Sequence, residues 1–182
     1  CKKVLVYKYK LGLNKKPAKI DATGISAKLN TPAVNSLITE MSRKAITIVR
    51  DNKNTLPIKA GKKVVVVSIG APGSNKFSDL CRDFCGADRY GKISSTVLAE
   101  VKKADVVIVG VFSSNANAKN ALKTIAAANS STIGVFFMNP YRVSKFSNLA
   151  SLSSIVLSYD DISQLRESTA DATFGEIDVT GK

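Results

Sequence analysis

Short apolar runs that alternate with helical stretches predict an α/β three-layer sandwich, a mainly parallel sheet of five or six strands with helices on both faces. Three observations carry this expectation. Val64–Ile69 and Asp105–Phe112 are nearly continuous apolar runs, as strands covered on both sides should be. The stretches between such runs place apolar residues at helical spacing, and two of them end at glycine, Gly86 and Gly175. The chain has 182 residues and is 45% apolar, enough to bury one sizeable core without disulfides or metal.

The elements follow in order. Lys3–Leu13 reads as a helix, with Val4, Leu5, Leu11 and the tyrosines as apolar positions and Gly12 and Pro17 as stop signals. Residues 14–30 mix Lys, Gly, Asn and Ala without a period, and an extended connection is expected there. Thr31-Pro32 starts a second helix, Thr as N-cap and Pro at the first helical position. Val34, Leu37, Ile38, Met41 and Ala45 continue it at helical spacing. Strands are expected at 46–49, 64–69, 89–93, 105–112, 132–138 and 154–159. Helices are expected at 77–85, 96–103 (Val97, Leu98 and Val101 inward), 117–128 and 161–174, the last capped by Asp160 or Asp161. Residues 1–30 form a leading helix and linker, and 31–182 the sandwich domain. Right-handed crossovers make the arrangement flavodoxin-like.

The net charge of +13 is unevenly placed. Residues 1–63 hold 15 Lys and Arg against 3 Asp and Glu, a net of +12; residues 64–182 hold 12 against 11, a net of +1. Nucleic-acid binders interleave basic residues with aromatics that stack on bases, and the basic third offers only Tyr7 and Tyr9. The expected role is a solvated, Lys-rich connection lying against an acidic partner surface, not a nucleic-acid interface. No apolar run reaches the roughly 18 to 20 residues that span a bilayer. Cys1 is expected to be an arbitrary starting point rather than a lipid-anchored cysteine. Cys81 and Cys85 stand four apart on one helix, a poor geometry for a bridge, so free thiols are expected.

The chain contains no histidine. That removes a Ser-His-Asp triad, a Cys-His pair and His-ligated metal sites. No metal site and no cofactor are expected. In open parallel sheets, sites lie at the C-terminal strand ends. Gly70-Ala71-Pro72-Gly73-Ser74 lacks a dinucleotide or Walker pattern and reads as a plain strand–helix turn. Ser113-Ser114-Asn115-Ala116-Asn117 is polar and follows the most apolar strand. Ser113, Ser114 and Asn115 are the candidates to hydrogen-bond sugar hydroxyls; the competing reading is an ordinary N-cap. Pro140 in Asn139-Pro140-Tyr141-Arg142 ends a strand, and Tyr159-Asp160-Asp161 offers neighbouring carboxylates that a helix cap explains. Glycoside hydrolysis needs two carboxyl groups flanking one bond, and no such pair stands out; no catalytic residue is expected in this chain.

Five stretches, in order, resemble the second domain of glycoside hydrolase family 3. They are KYKLGL at Lys8–Leu13, RKAITIVRDNKNTLPI at Arg43–Ile58, ADVVIVGVF at Ala104–Phe112, FFMNPYRVSKF at Phe136–Phe146 and ATFGEIDVTGK at Ala172–Lys182. The resemblance implies a preceding (β/α)8 barrel that carries an Asp nucleophile and acts on carbohydrate. In β-glucosidase-like members, this domain supplies an acid/base Glu from a loop after a central strand. The matching loop here, Ser113–Asn117, has no Glu, and neither has the helix after it. In the β-N-acetylhexosaminidase-like branch, a His–Asp pair on the barrel transfers the proton, so a second domain without His or that Glu fits this branch. The resemblance therefore implies an accessory domain acting with a barrel on N-acetylglucosaminides and inactive alone. The ending at Thr180-Gly181-Lys182 is expected to be a cut.

Overall fold

The computed structural model describes residues 1–15 and 22–181. Pro17, the middle of the expected linker and Lys182 lie outside the described residues. Two compact units are present, Cys1–Asn35 and Ser36–Lys182.

In the first unit, α1 spans Lys2–Lys10, shorter than expected, because the chain turns at Leu11 and Gly12 adopts a positive φ of 72°. The expected extended connection is corrected by α2, Ile25–Leu29, which Gly24 opens and Asn30 closes. Five residues are too few to show a helical period, so the sequence carried no signal for it. The helix α3, Pro32–Ala45, starts as expected. Thr31 Oγ1 accepts a hydrogen bond from the Val34 N–H at 3.3 Å.

The second unit holds six strands in the order β1-β6-β5-β4-β2-β3. They are β1 (Thr47–Asp51), β2 (Val64–Ile69), β3 (Asp88–Tyr90), β4 (Val106–Val111), β5 (Thr132–Phe136) and β6 (Ser154–Leu157). All neighbours are parallel except β1, which runs antiparallel along β6 with a register shift between Ile48 and Arg50. Taken without β1, the parallel strands have the flavodoxin-like order 2-1-3-4-5. Every residue of β2, β4, β5 and β6 is buried, which is why these strands read as mostly apolar runs, with Ser68, Thr132 and Ser154 as buried polar exceptions.

The helices are α4 (Lys76–Cys85), α5 (Ser95–Lys103), α6 (Ala116–Ala128), the short α7 (Pro140–Val143) and α8 (Ser163–Phe174). One core face gathers Val65, Val67, Val109, Val101, Leu122 and Ile125 beneath α5 and α6. The other gathers Val66, Ile108, Phe77, Cys81, Val135 and Leu165 beneath α4 and α8. Alternate residues of one strand thus serve opposite cores. Each fully buried Val, Leu or Ile contributes roughly 1.5–3 kcal/mol relative to exposure. Two layers of helices around one sheet make the expected sandwich.

Local signals explain most helix ends. Asn75 and Ser78 form a capping box at α4, Ser94 caps α5, and Gly86 and Gly175 close α4 and α8 in the left-handed conformation. The cap expected at Asp160 or Asp161 is corrected. Here α8 begins at Ser163 with Ile162 at the cap position and no side-chain cap. Tyr159 takes a positive φ of 64°, and Asp161 pairs with Arg166 at 2.5 Å instead of bonding the helix start. Pro140, expected to end a strand, instead opens the helical turn α7 four residues after β5 ends at Phe136; Asn139 caps it by accepting from the Arg142 N–H at 3.0 Å. Cys81 and Cys85 are free thiols. Burial pushes both thiols up, Cys81 well above its ordinary value. Leu98 is half-buried, whereas Val97 and Val101 are fully inward.

Candidate functional site

The strand order reverses direction of growth between β2 and β4, the switch point where ligands sit in sheets of this kind. A cavity of about 440 Å³ opens there. Its floor is the end of β2, from Val67 to Gly70; its walls are Gly91–Ile93 after β3 and Ser113, Asn115, Asn117 and Ala118 at the start of α6.

The loop after β2 turns at Gly70, whose φ is +86°. A Cβ there would lie 2.6 Å from Ser113 Cβ, so the two loops meet closely because Gly70 has no side chain. Gly70→Ala combines left-handed strain with that overlap, and a loss of about 2–4 kcal/mol in urea unfolding is expected. A loss under about 0.5 kcal/mol would contradict this packing.

The polar groups of this first loop bond one another. Asn75 Nδ2 donates to Ser68 Oγ and to the Pro72 carbonyl, each at 2.8 Å. Ser74 donates to Asp79 Oδ1 at 2.9 Å, and Asp79 also pairs with Arg89. The loop is a braced strand–helix turn, not a phosphate cradle of the Walker kind.

The three sequence candidates take different positions. Ser113 lines the cavity, and its Oγ accepts from the Asn115 N–H at 3.4 Å. Asn115 also lines it, but its Oδ1 caps α6 by accepting from the Ala118 N–H at 2.8 Å. Ser114 is not among the lining residues; its Oγ accepts from Arg142 Nε at 3.0 Å, tying the β4 loop to the β5 loop. Asn117, in the loop singled out by sequence, also lines the cavity, whereas sequence reasoning missed Lys92; Tyr141, in the Asn139–Arg142 loop, is 84% exposed and is not a lining residue. Lys92 follows a strand of three residues, too short to announce its end.

Among the described residues none that lines the cavity is acidic. Near the strand ends Asp79 pairs with Arg89 and Asp161 with Arg166, Asp160 accepts from the Asp161 N–H, and Arg166 in turn lies 4.9 Å over the Phe112 ring. Among the described residues no cluster of three His, Cys, Asp or Glu side chains could hold a metal ion. Nor, among them, is any helix long and apolar enough to cross a membrane.

No protein-family model matches the chain, and no curated protein matches it. Solved structures do. The chain is similar to a family 3 β-N-acetylglucosaminidase from Paenibacillus sp. str. FPU-7, with a TM-score of 0.65 and 17% identity over 98% of this chain and 37% of that one. It is similar to a fungal multi-domain family 3 β-N-acetylglucosaminidase, with a TM-score of 0.66 and 21% identity over 89% of this chain and 20% of that one. A β-glucosidase from Listeria innocua gives 0.62 and 16% over 94% and 30%.

The fold and the switch-point cavity define an α/β sandwich domain of flavodoxin-like order with an added antiparallel edge strand. More narrowly, it is the fold of the C-terminal α/β domain of family 3 glycoside hydrolases. The chain spans between 20% and 37% of the lengths of these three structures.

Proposed function

We propose that this chain is the C-terminal accessory domain of a family 3 glycoside hydrolase of the β-N-acetylhexosaminidase type, working with a (β/α)8 barrel on N-acetylglucosaminides. The observation that carries the reading is the match over 98% of this chain to only 37% of a β-N-acetylglucosaminidase. The remainder of such an enzyme supplies the nucleophile and the proton transfer. In this reading residues 1–30 are the leading helix and linker from the barrel, and 31–182 the domain. Ser113, Ser114 and Asn115 sit at the edge of the substrate cleft. Exposed apolar bodies support a docking role: Leu37 and Met41 on α3 are 55% and 61% exposed, and Tyr141 stands at the strand ends. The loop without Glu favours this branch over a β-glucosidase-type parent. A non-catalytic saccharide-binding or structural module remains the alternative of a different class.

The test is hydrolysis of an aryl N-acetylglucosaminide by this chain alone and by a longer chain in which a family 3 barrel precedes it. Hydrolysis only in the longer chain is expected. Equal activity in this chain alone would overturn the reading. Preference of the longer chain for an aryl glucoside would move the parent to the β-glucosidase branch. No hydrolysis by either would leave the structural module.

A further inference from the structure

We infer that the switch-point cavity is a binding site for a small anionic saccharide, a sugar-sized polyol bearing one carboxylate or phosphate. It shares the Ser113–Asn117 loop with the reading above but does not rest on it, because the site lies wholly within this chain.

Three features of the cavity lead there. The first is size and wall chemistry. A volume of about 440 Å³ falls in the range of small-molecule sites, roughly 300–1,000 Å³. The lining mixes apolar Val67, Ile93, Ala118 and Ala121 with polar Ser113 and Asn117. Mixed walls of this kind suit a ring with hydroxyls along one edge. The Asn117 side chain makes no hydrogen bond among the described residues, so both its donor and its acceptor stay available to a ligand.

The second feature is charge. Among the described residues Lys92 is the one charged residue on the cavity wall. It has no ion-pair partner among the described residues, whereas Lys63, Lys76 and Lys103 each have a carboxylate within 4 Å. Arg142, at the neighbouring strand end, bonds the Ser114 hydroxyl rather than a carboxylate. On the strand-end side Asp79 is paired with Arg89 and Asp161 with Arg166, and Asp160, after β6, is not a lining residue. Among the described residues the cavity lining therefore carries one positive and no negative charge, although the folded body is close to neutral overall. A low-dielectric concave site focuses such a field.

The third feature is rigidity. Gly70 fits against Ser113, and Asn75 ties Ser68 to the following turn, so the floor is held in place before any ligand arrives. Preorganised polar groups bind with less ordering cost than mobile ones.

The experiment is a titration of the ¹⁵N-labelled chain with glucuronate, glucose 6-phosphate, inorganic phosphate and neutral glucose. Concentrations reach about 20 mM, well above the ~1 mM Kd of a weak site. Expected are saturable shifts of the Gly70, Gly91, Ser113 and Asn117 amides with one or both anionic sugars, and weaker or no shifts with glucose. Which anionic sugar binds better separates carboxylate from phosphate. Lys92→Gln should weaken binding roughly fivefold or more and Lys92→Glu abolish it, with the rest of the spectrum unchanged. Absence of shifts with both anionic sugars would overturn the inference. So would equal response to glucose, equal response to inorganic phosphate alone, or indifference to Lys92→Gln. Failure here leaves the barrel-dependent hydrolysis untouched, and loss of that hydrolysis leaves this binding in place.

Discussion

A Phe77→Ala chain is expected to lose about 3–5 kcal/mol of stability, the usual effect of emptying a fully buried aromatic site. Phe77 opens α4 and is 0% exposed. Its ring meets Phe137 edge to face at 5.1 Å, and Phe137 stacks on Phe112 at 4.4 Å. The three rings join α4 to the ends of β4 and β5. Removing the first leaves a cavity that the sheet backbone cannot collapse into. Thermal unfolding should fall by roughly 10 °C for a chain of this size. Phe84 supplies the comparison: it stacks on Phe174 at 4.9 Å but is 39% exposed. Phe84→Ala should cost only about 1 kcal/mol. Equal losses in the two variants would mean that the core behind the strand ends is not packed around Phe77.

Asp51→Asn is expected to cost about 1–3 kcal/mol near neutral pH, and the difference from the natural chain should vanish in acid. Asp51 ends β1. Its Oδ1 accepts from the Thr55 N–H at 2.9 Å and from the Ser154 hydroxyl at 2.7 Å, and its Oδ2 accepts from the Leu56 N–H at 3.1 Å. Asparagine would turn an N–H donor toward one of those donors. Burial alone would raise the Asp51 carboxyl, but the bonds from Ser154 and from the Thr55, Leu56 and Lys53 backbone outweigh it and hold the group below its ordinary value. The folded value is thus the lower of the two. The stabilisation is fully present above the unfolded value near 3.8 and is lost as pH falls through the folded one. Urea midpoints of the two chains, measured from about pH 6 down to about pH 2, should converge only below the unfolded value. A difference independent of pH would show that the carboxylate charge has no part in holding this corner.

Much of this fold was legible along the chain, and the reasons are local. Val64–Ile69 has no polar face except Ser68, so only a doubly covered strand could use it. Asn75, Ser94 and Asn115 each precede a helix by one residue and cap it. Gly86 and Gly175 stop helices with the conformation that glycine tolerates best. The glycine stops and the cap in Ser113–Asn117 act within a turn or two, which is why they could be read; the caps Asn75 and Ser94 were not singled out. The failures have the same origin. Between Gly24 and Asn30 the helix is shorter than one period of evidence, and Asp161 has the chemistry of a cap but turned to Arg166, five residues on.

The candidate site was half legible. Ser113 and Asn115 follow the most apolar strand, and both line the cavity. Lys92 stands 21 positions before Ser113, after a strand of three residues, and only the pairing of β2 with both β3 and β4 brings the two together.

Composition and local pattern therefore determined the class of fold, the ends of most helices, the near-neutral body behind a basic leading third, and the lack of His and of a Glu in Ser113–Asn117. The tertiary structure alone decided the strand order, the antiparallel place of β1 beside β6, the reach of Arg50 to the Leu149 and Leu152 carbonyls, and the cavity at the switch point. The physical reason is range. Capping and periodicity act within about ten residues. A strand's neighbours and a cavity's walls are set by which buried faces fit together across a hundred.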